Sequence, residues 1–114
     1  MIAYTVICQI EDSATATEWV SWLKDEHLAD VCTAGALSAT LVQMNETPQT
    51  YEVRYTFASW ETFSHYETHS APALREEGLR LFPLSRGLTY RRTVGEVIAA
   101  HKPATPLASD ESML

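Results

Sequence analysis

The chain has 114 residues, 46 % of them hydrophobic and 20 % charged, which suits one globular domain and argues against a disordered chain. Fifteen acidic against eight basic residues give a formal net charge of −7, so the surface repels phosphate backbones and anionic lipid, and neither nucleic acid nor membrane is an expected partner. Cys8 and Cys32 form no C-x-x-C pair, which removes a thiolate metal site or a thioredoxin-like site from the expectations.

The opening "MIAYTVICQIE" has no basic segment and no long apolar run, so a cytoplasmic location is expected. It alternates: Ile2, Tyr4, Val6, Cys8 and Ile10 share one face, a period of two that predicts a strand. "DSATATEW" supplies the cap candidates Asp12, Ser13 and Thr15. Behind them Ala16, Trp19, Val20, Leu23 and His27 form one helical stripe, and Gly35 offers a left-handed stop.

"ALSATLVQM" and "TYEVRYTFA" predict a second and a third strand joined by the polar loop "NETPQ". In the third, Tyr51, Val53, Tyr55 and Phe57 face one way, with Glu52, Arg54 and Thr56 opposite. Ser59 caps a second helical segment beginning "WETFSHY", which Pro72 interrupts or restarts before "ALREEGLRLF". "GLTYRRTVGEVI" predicts the last strand. The arginines 75, 80, 86, 91 and 92 cluster in the C-terminal third, broken up by acidic residues, and are expected as internal pairs and solvated surface.

The order β-α-β-β-α-β predicts an α+β, ferredoxin-like domain over residues 1–98, a four-stranded antiparallel sheet with two helices on one face. Residues 99–114, with two prolines and little apolar content, are expected as a flexible tail. The opposite sheet face, assigned Thr5, Ile7, Leu37, Ala39, Leu41, Arg54, Thr56, Arg91 and Thr93, looks too apolar to stay wet and suggests pairing with a second copy.

Three phrases, "EWVSWLKDEHLADV", "YEVRYTF" and "HSAPALREEGLRLF", carry a family resemblance. Through Trp19, Trp22, His27, Asp30 and Val31, then Tyr66, His69, Ala71, Pro72, Leu74, Arg75, Gly78, Leu79 and Phe82, the chain resembles a domain-of-unknown-function family of small bacterial proteins in the dimeric α/β-barrel superfamily. It departs from that pattern at Ala29, where the family carries proline. The resemblance implies a homodimer. Within the superfamily stand cofactor-free monooxygenases, haem-binding enzymes, isomerase-like proteins and dimers without known activity.

Several side chains are candidates for a site. His65 and His69 have the i, i+4 spacing of a zinc chelate, but the run H-Y-E-T-H lacks the H-E-x-x-H base, and His65 points away from the stripe of Trp60, Phe63 and Tyr66. No metal is expected there. His27 and His69 can instead share a cavity as an acid–base or ligand-orienting pair, or each can be a buried or capping histidine. Arg75 emerges among apolar residues and needs a carboxylate, either Asp30 in a structural pair or that of a bound anion. Trp22 and Tyr66, with the other tryptophans and tyrosines, can line an aromatic-ligand pocket or form plain core. No Gly-rich phosphate loop and no G-x-S-x-G occurs, so no cofactor is expected. Two functions follow as expectations. One is a homodimer binding a small polar or aromatic ligand between helices and sheet, with cofactor-free monooxygenase- or isomerase-like chemistry. The other is a dimerisation or protein-interaction module without a ligand pocket.

Overall fold

The computed structural model describes residues 1–102, so most of the tail expected at 99–114 lies outside the described residues. Four strands, β1 (Ile2–Ile10), β2 (Ser38–Gln43), β3 (Gln49–Phe57) and β4 (Leu88–Glu96), form one antiparallel sheet in the order β2-β3-β1-β4. That is the ferredoxin-like order, with β1 and β3 central. No helix among the described residues is long and apolar enough to cross a membrane.

The first helical segment comprises α1 (Ser13–Trp22), a π turn (Leu23–His27) and α2 (Leu28–Thr33). Asp12 caps it: its carboxylate accepts from the Thr15 backbone N–H and the Thr15 hydroxyl, both at 2.8 Å. Gly35, at φ +131°, ends it. The second segment is two helices, α3 (Trp60–His69) and α4 (Ala71–Leu81), parted where the sequence places the interruption at Pro72. Pro72 has no N–H to continue α3 and occupies the first turn of α4, the position a helix tolerates. The layer therefore holds one more helix than expected.

Directly opposed residues of antiparallel strands share a face. Tyr4 opposes Tyr55, and Val6 opposes Val53, on the helix side. Ala39 opposes Tyr55, and Leu41 opposes Val53. These two residues therefore belong to the helix face, where they pack against the core, and not to the outer face expected for them. The register of the β2–β3 hairpin decides this, and a one-residue slip inverts the assignment. On the outer face β2 contributes Ser38, Thr40 and Val42, so that face is more polar than the sequence suggests.

Candidate functional site

Between helices and sheet lies a cavity of about 510 Å³. Its floor includes Val6 and Val53, short side chains at the sheet centre, and its roof includes Gly78 of α4, which has no side chain. Small residues on both sides leave room where larger ones would close the layer. The tyrosines Tyr4, Tyr55, Tyr66 and Tyr90 stand around that floor.

The π turn shapes one wall. Its defining bond runs from the Leu28 N–H to the Leu23 carbonyl, five residues back. In a regular helix His27 would align with Leu23, as the apolar stripe predicts. One extra residue in the turn aligns it with Trp22 instead, and the two rings stack at 4.5 Å and 24°. Trp22 also packs against Phe82, with centroids 5.6 Å apart, and against Gly78. Trp22 and His27 both line the cavity. Their Nε1 and Nδ1 atoms are shielded from solvent and have no hydrogen-bond partner among the described residues. Buried polar atoms are nearly always paired, so this wall holds unused hydrogen-bonding capacity.

Burial pulls the His27 pKa down to about 4, with the charge of Asp30 opposing the shift. The imidazole is neutral at pH 7, able to donate from one ring nitrogen and accept at the other. Burial pushes the Tyr66 phenol up to about 12, and raises Tyr55 and Tyr90 as well. These phenols stay protonated.

Arg75 reaches the cavity from α4. Its Nη2 donates to the Glu67 carboxylate at 2.9 and 3.0 Å and to the Tyr4 hydroxyl at 3.0 Å. Asp30 is therefore not its partner; Glu67, eight residues back across the α3–α4 break, is within reach instead. Asp30 is exposed and outside the cavity lining.

His69 does not meet His27 in the cavity either. It is exposed near the end of α3, its Nδ1 lies 3.1 Å from the His65 carbonyl, and its ring stacks on His65 at 4.2 Å. His69 lies inside α3 one turn after His65, so the two share the outward face of that helix. No group of three or more His, Cys, Asp or Glu side chains converges as metal ligands among the described residues. Of the six candidates, His27, Trp22, Tyr66 and Arg75 come together; His69 and Asp30 do not.

Sequence reasoning missed Arg92, whereas Tyr90 is among the tyrosines it expects in a pocket. Both lie on the helix face of β4, opposite Val6 and Cys8, and both line the cavity. The Tyr90 hydroxyl accepts from Trp19 Nε1 at 3.1 Å, tying the sheet to α1. Strict alternation along "TYRRTV" carried the signal, since Arg91 pointing outward requires Arg92 to point inward.

A β2-β3-β1-β4 antiparallel sheet with a helical layer on one face and a cavity between them defines a ferredoxin-like α+β fold. The chain belongs to the DUF4286 family, a domain of unknown function whose model matches residues 1–97. Comparison with curated protein sequences gives no match. Similar solved structures include a dimeric ferredoxin-like protein from an uncultured marine organism, 11 % identical, with TM-score 0.68 over 90 % of this chain and 100 % of that one. A monooxygenase from the gene ActVA-Orf6 of Streptomyces coelicolor, in complex with nanaomycin D, is 16 % identical, with TM-score 0.68 over 90 % and 92 %. SnoaB, a cofactor-independent oxygenase from Streptomyces nogalater, is 14 % identical, with TM-score 0.63 over 87 % and 95 %. What these proteins share with the chain is the fold.

Proposed function

We propose that this protein binds a small aromatic molecule in the cavity between helices and sheet, works as a homodimer, and carries out cofactor-free oxygenase-type chemistry there. The cavity carries the reading. At about 510 Å³ it exceeds the ~300 Å³ at which small-molecule sites begin. An open space of this size favours a ligand over a pure interaction module, for which a filled interior is expected. Indole and phenol rings on the walls offer stacking partners to a flat ligand.

His27, Tyr66 and Arg75 take separate roles. Neutral His27 orients a ligand hydroxyl or carbonyl through its ring nitrogens. Tyr66 offers a phenolic donor that does not ionise near neutrality. Arg75, already neutralised by Glu67, stiffens the polar corner. Trp22 supplies a ring face. The oxygenase step rests on two neighbours of the same fold that are described as oxygenases, and the dimer on one described as dimeric.

Calorimetric titration with 2-naphthol tests the reading. Saturable 1:1 binding per chain is expected, and Leu79→Trp, which puts an indole into the mouth of the cavity, should weaken it at least about tenfold. Absence of binding to the wild-type protein, or equal binding by the Leu79→Trp variant, contradicts it.

A further inference from the structure

We propose that the cavity selects aromatic ligands bearing one anionic group, a carboxylate or an acidic phenol, and that Arg92 is the anchor for that charge. The proposal deepens the aromatic-ligand reading and rests on it.

Two guanidinium groups reach the cavity, and they differ in what they already hold. Arg75 is bound on one nitrogen by both oxygens of Glu67 and by Tyr4. Its charge is balanced inside the protein. Arg92 has no carboxylate within ion-pair distance among the described residues; the three ion pairs found there belong to Arg54, Arg75 and Arg86. The Arg92 side chain is exposed at the edge of the cavity, with its Cζ 5.5 Å from the centroid of the Tyr90 ring and its N–H groups open to a ligand. Opposite Val6 on the helix face, it is placed at the open side of the floor.

The Arg92 guanidinium favours the ionised forms of Cys8, Tyr55, Tyr66 and Tyr90 alike, against the larger effect of burial. Tyr55, Tyr66 and Tyr90 line the cavity, so this positive charge acts on its tyrosine side. A second anion, not these phenols, is the natural complement, because burial keeps the phenols neutral. Guanidinium–carboxylate bonding is directional, and at the exposed Arg92 solvent screens part of its strength. The chain as a whole is acidic, which makes one unbalanced cation beside an aromatic cavity a selective feature and not a general attraction for anions.

The geometry also orders the ligand. Its charged end lies by Arg92 on β4, and its ring lies between the Trp22–His27 wall and the tyrosine floor. The leucines Leu79 and Leu84 complete the rim with apolar surface. A dianion would place its second charge against apolar groups or the phenol rings, and the site disfavours it.

The test compares 2-naphthoate with its neutral isostere 2-naphthamide, titrated calorimetrically into the wild-type protein and into Arg92→Gln and Arg92→Lys. Wild type should prefer naphthoate by about tenfold or more. Arg92→Gln should bring the two affinities together, chiefly by weakening naphthoate, while Arg92→Lys keeps part of the preference; circular dichroism establishes that each variant is folded. Equal binding of both probes to wild type overturns the assignment of charge and leaves the aromatic cavity standing. So does a preference that survives Arg92→Gln but disappears in Arg75→Gln. Failure of both probes to bind wild type overturns the aromatic reading and this one together.

Discussion

The His27 imidazole lies nearly parallel to the Trp22 indole, with ring centroids 4.5 Å apart, because the π turn at Leu23–His27 sets these residues five apart on one face. The stack makes a flat wall from two residues that a regular helix would separate. It also withdraws the imidazole from water, and its titration records that burial.

The pKa of His27 falls from 6.5 to about 4 on folding. Between those values the unfolded chain binds a proton that the native protein excludes. This group's contribution to stability is therefore complete above about pH 6.5, declines as the pH falls towards 4, and levels off below. The loss between pH 7 and pH 4 is about 3 kcal/mol. Urea unfolding at pH 7 and pH 4 should show a smaller drop for His27→Gln than for wild type. Equal drops would mean that the imidazole is freely solvated.

Arg75 should couple energetically to Glu67 and not to Asp30. Both partners keep some exposure, so a double-mutant cycle with Arg75→Met and Glu67→Gln should give about 0.5–1 kcal/mol. The same cycle with Asp30→Asn should give a value near zero. A coupling to Asp30 as large as that to Glu67 would contradict the observed pairing.

Gly78 keeps the wall flat. A Cβ there would sit 3.3 Å from Cη2 of Trp22, an indole already packed against His27 and Phe82. Gly78→Ala gains about 1 kcal/mol of helix propensity, and the displaced ring offsets it. Net stability should change by less than about 0.5 kcal/mol while the Trp22 indole N–H resonance shifts. A full gain in stability with an unmoved resonance would mean that the ring adapts freely.

Gly87 opens β4 at φ +91°, and a Cβ there would lie 3.2 Å from Cβ of Glu11. Gly87→Ala combines a left-handed backbone with that contact. A loss of about 1–2 kcal/mol in urea unfolding is expected, with a larger loss for Gly87→Val.

The outer sheet face presents Ile7 and Val42 beside Thr5, Arg54 and Arg91. Light scattering at micromolar concentration should give twice the chain mass, and Ile7→Glu, placed opposite Glu52, should shift it towards the monomer. A monomeric wild-type protein would remove the pairing.

Much of this architecture can be read from the chain. Alternation in "IAYTVICQI" and "YEVRYTF" marks the central strands, Asp12 and Ser59 cap their helices, and Gly35 stops the first segment. Three features escaped for separate reasons. Ala39 and Leu41 were turned outward because loop length alone does not fix the register of β2. Trp22 falls off the helical stripe because a period of 3.6 hides a π turn. The inward expectation for His69 overlooks its i, i+4 relation to His65, since inside α3 the two share the outward face. Arg92 is different: its orientation was legible in the alternation of β4, but a cluster of arginines suggests solvated surface. Its importance depends on which acids its neighbours have already engaged, and that is a property of three-dimensional packing.

The most direct test of the aromatic cavity uses the three tryptophans as internal reporters. Trp19 and Trp22 line the cavity, whereas Trp60 lies outside it with its Nε1 3.4 Å from Glu96. Titration with 2-naphthol, followed by the indole N–H resonances, should shift Trp19 and Trp22 saturably and leave Trp60 in place. Three unmoved signals, or a Trp60 shift equal to the others, would contradict the account.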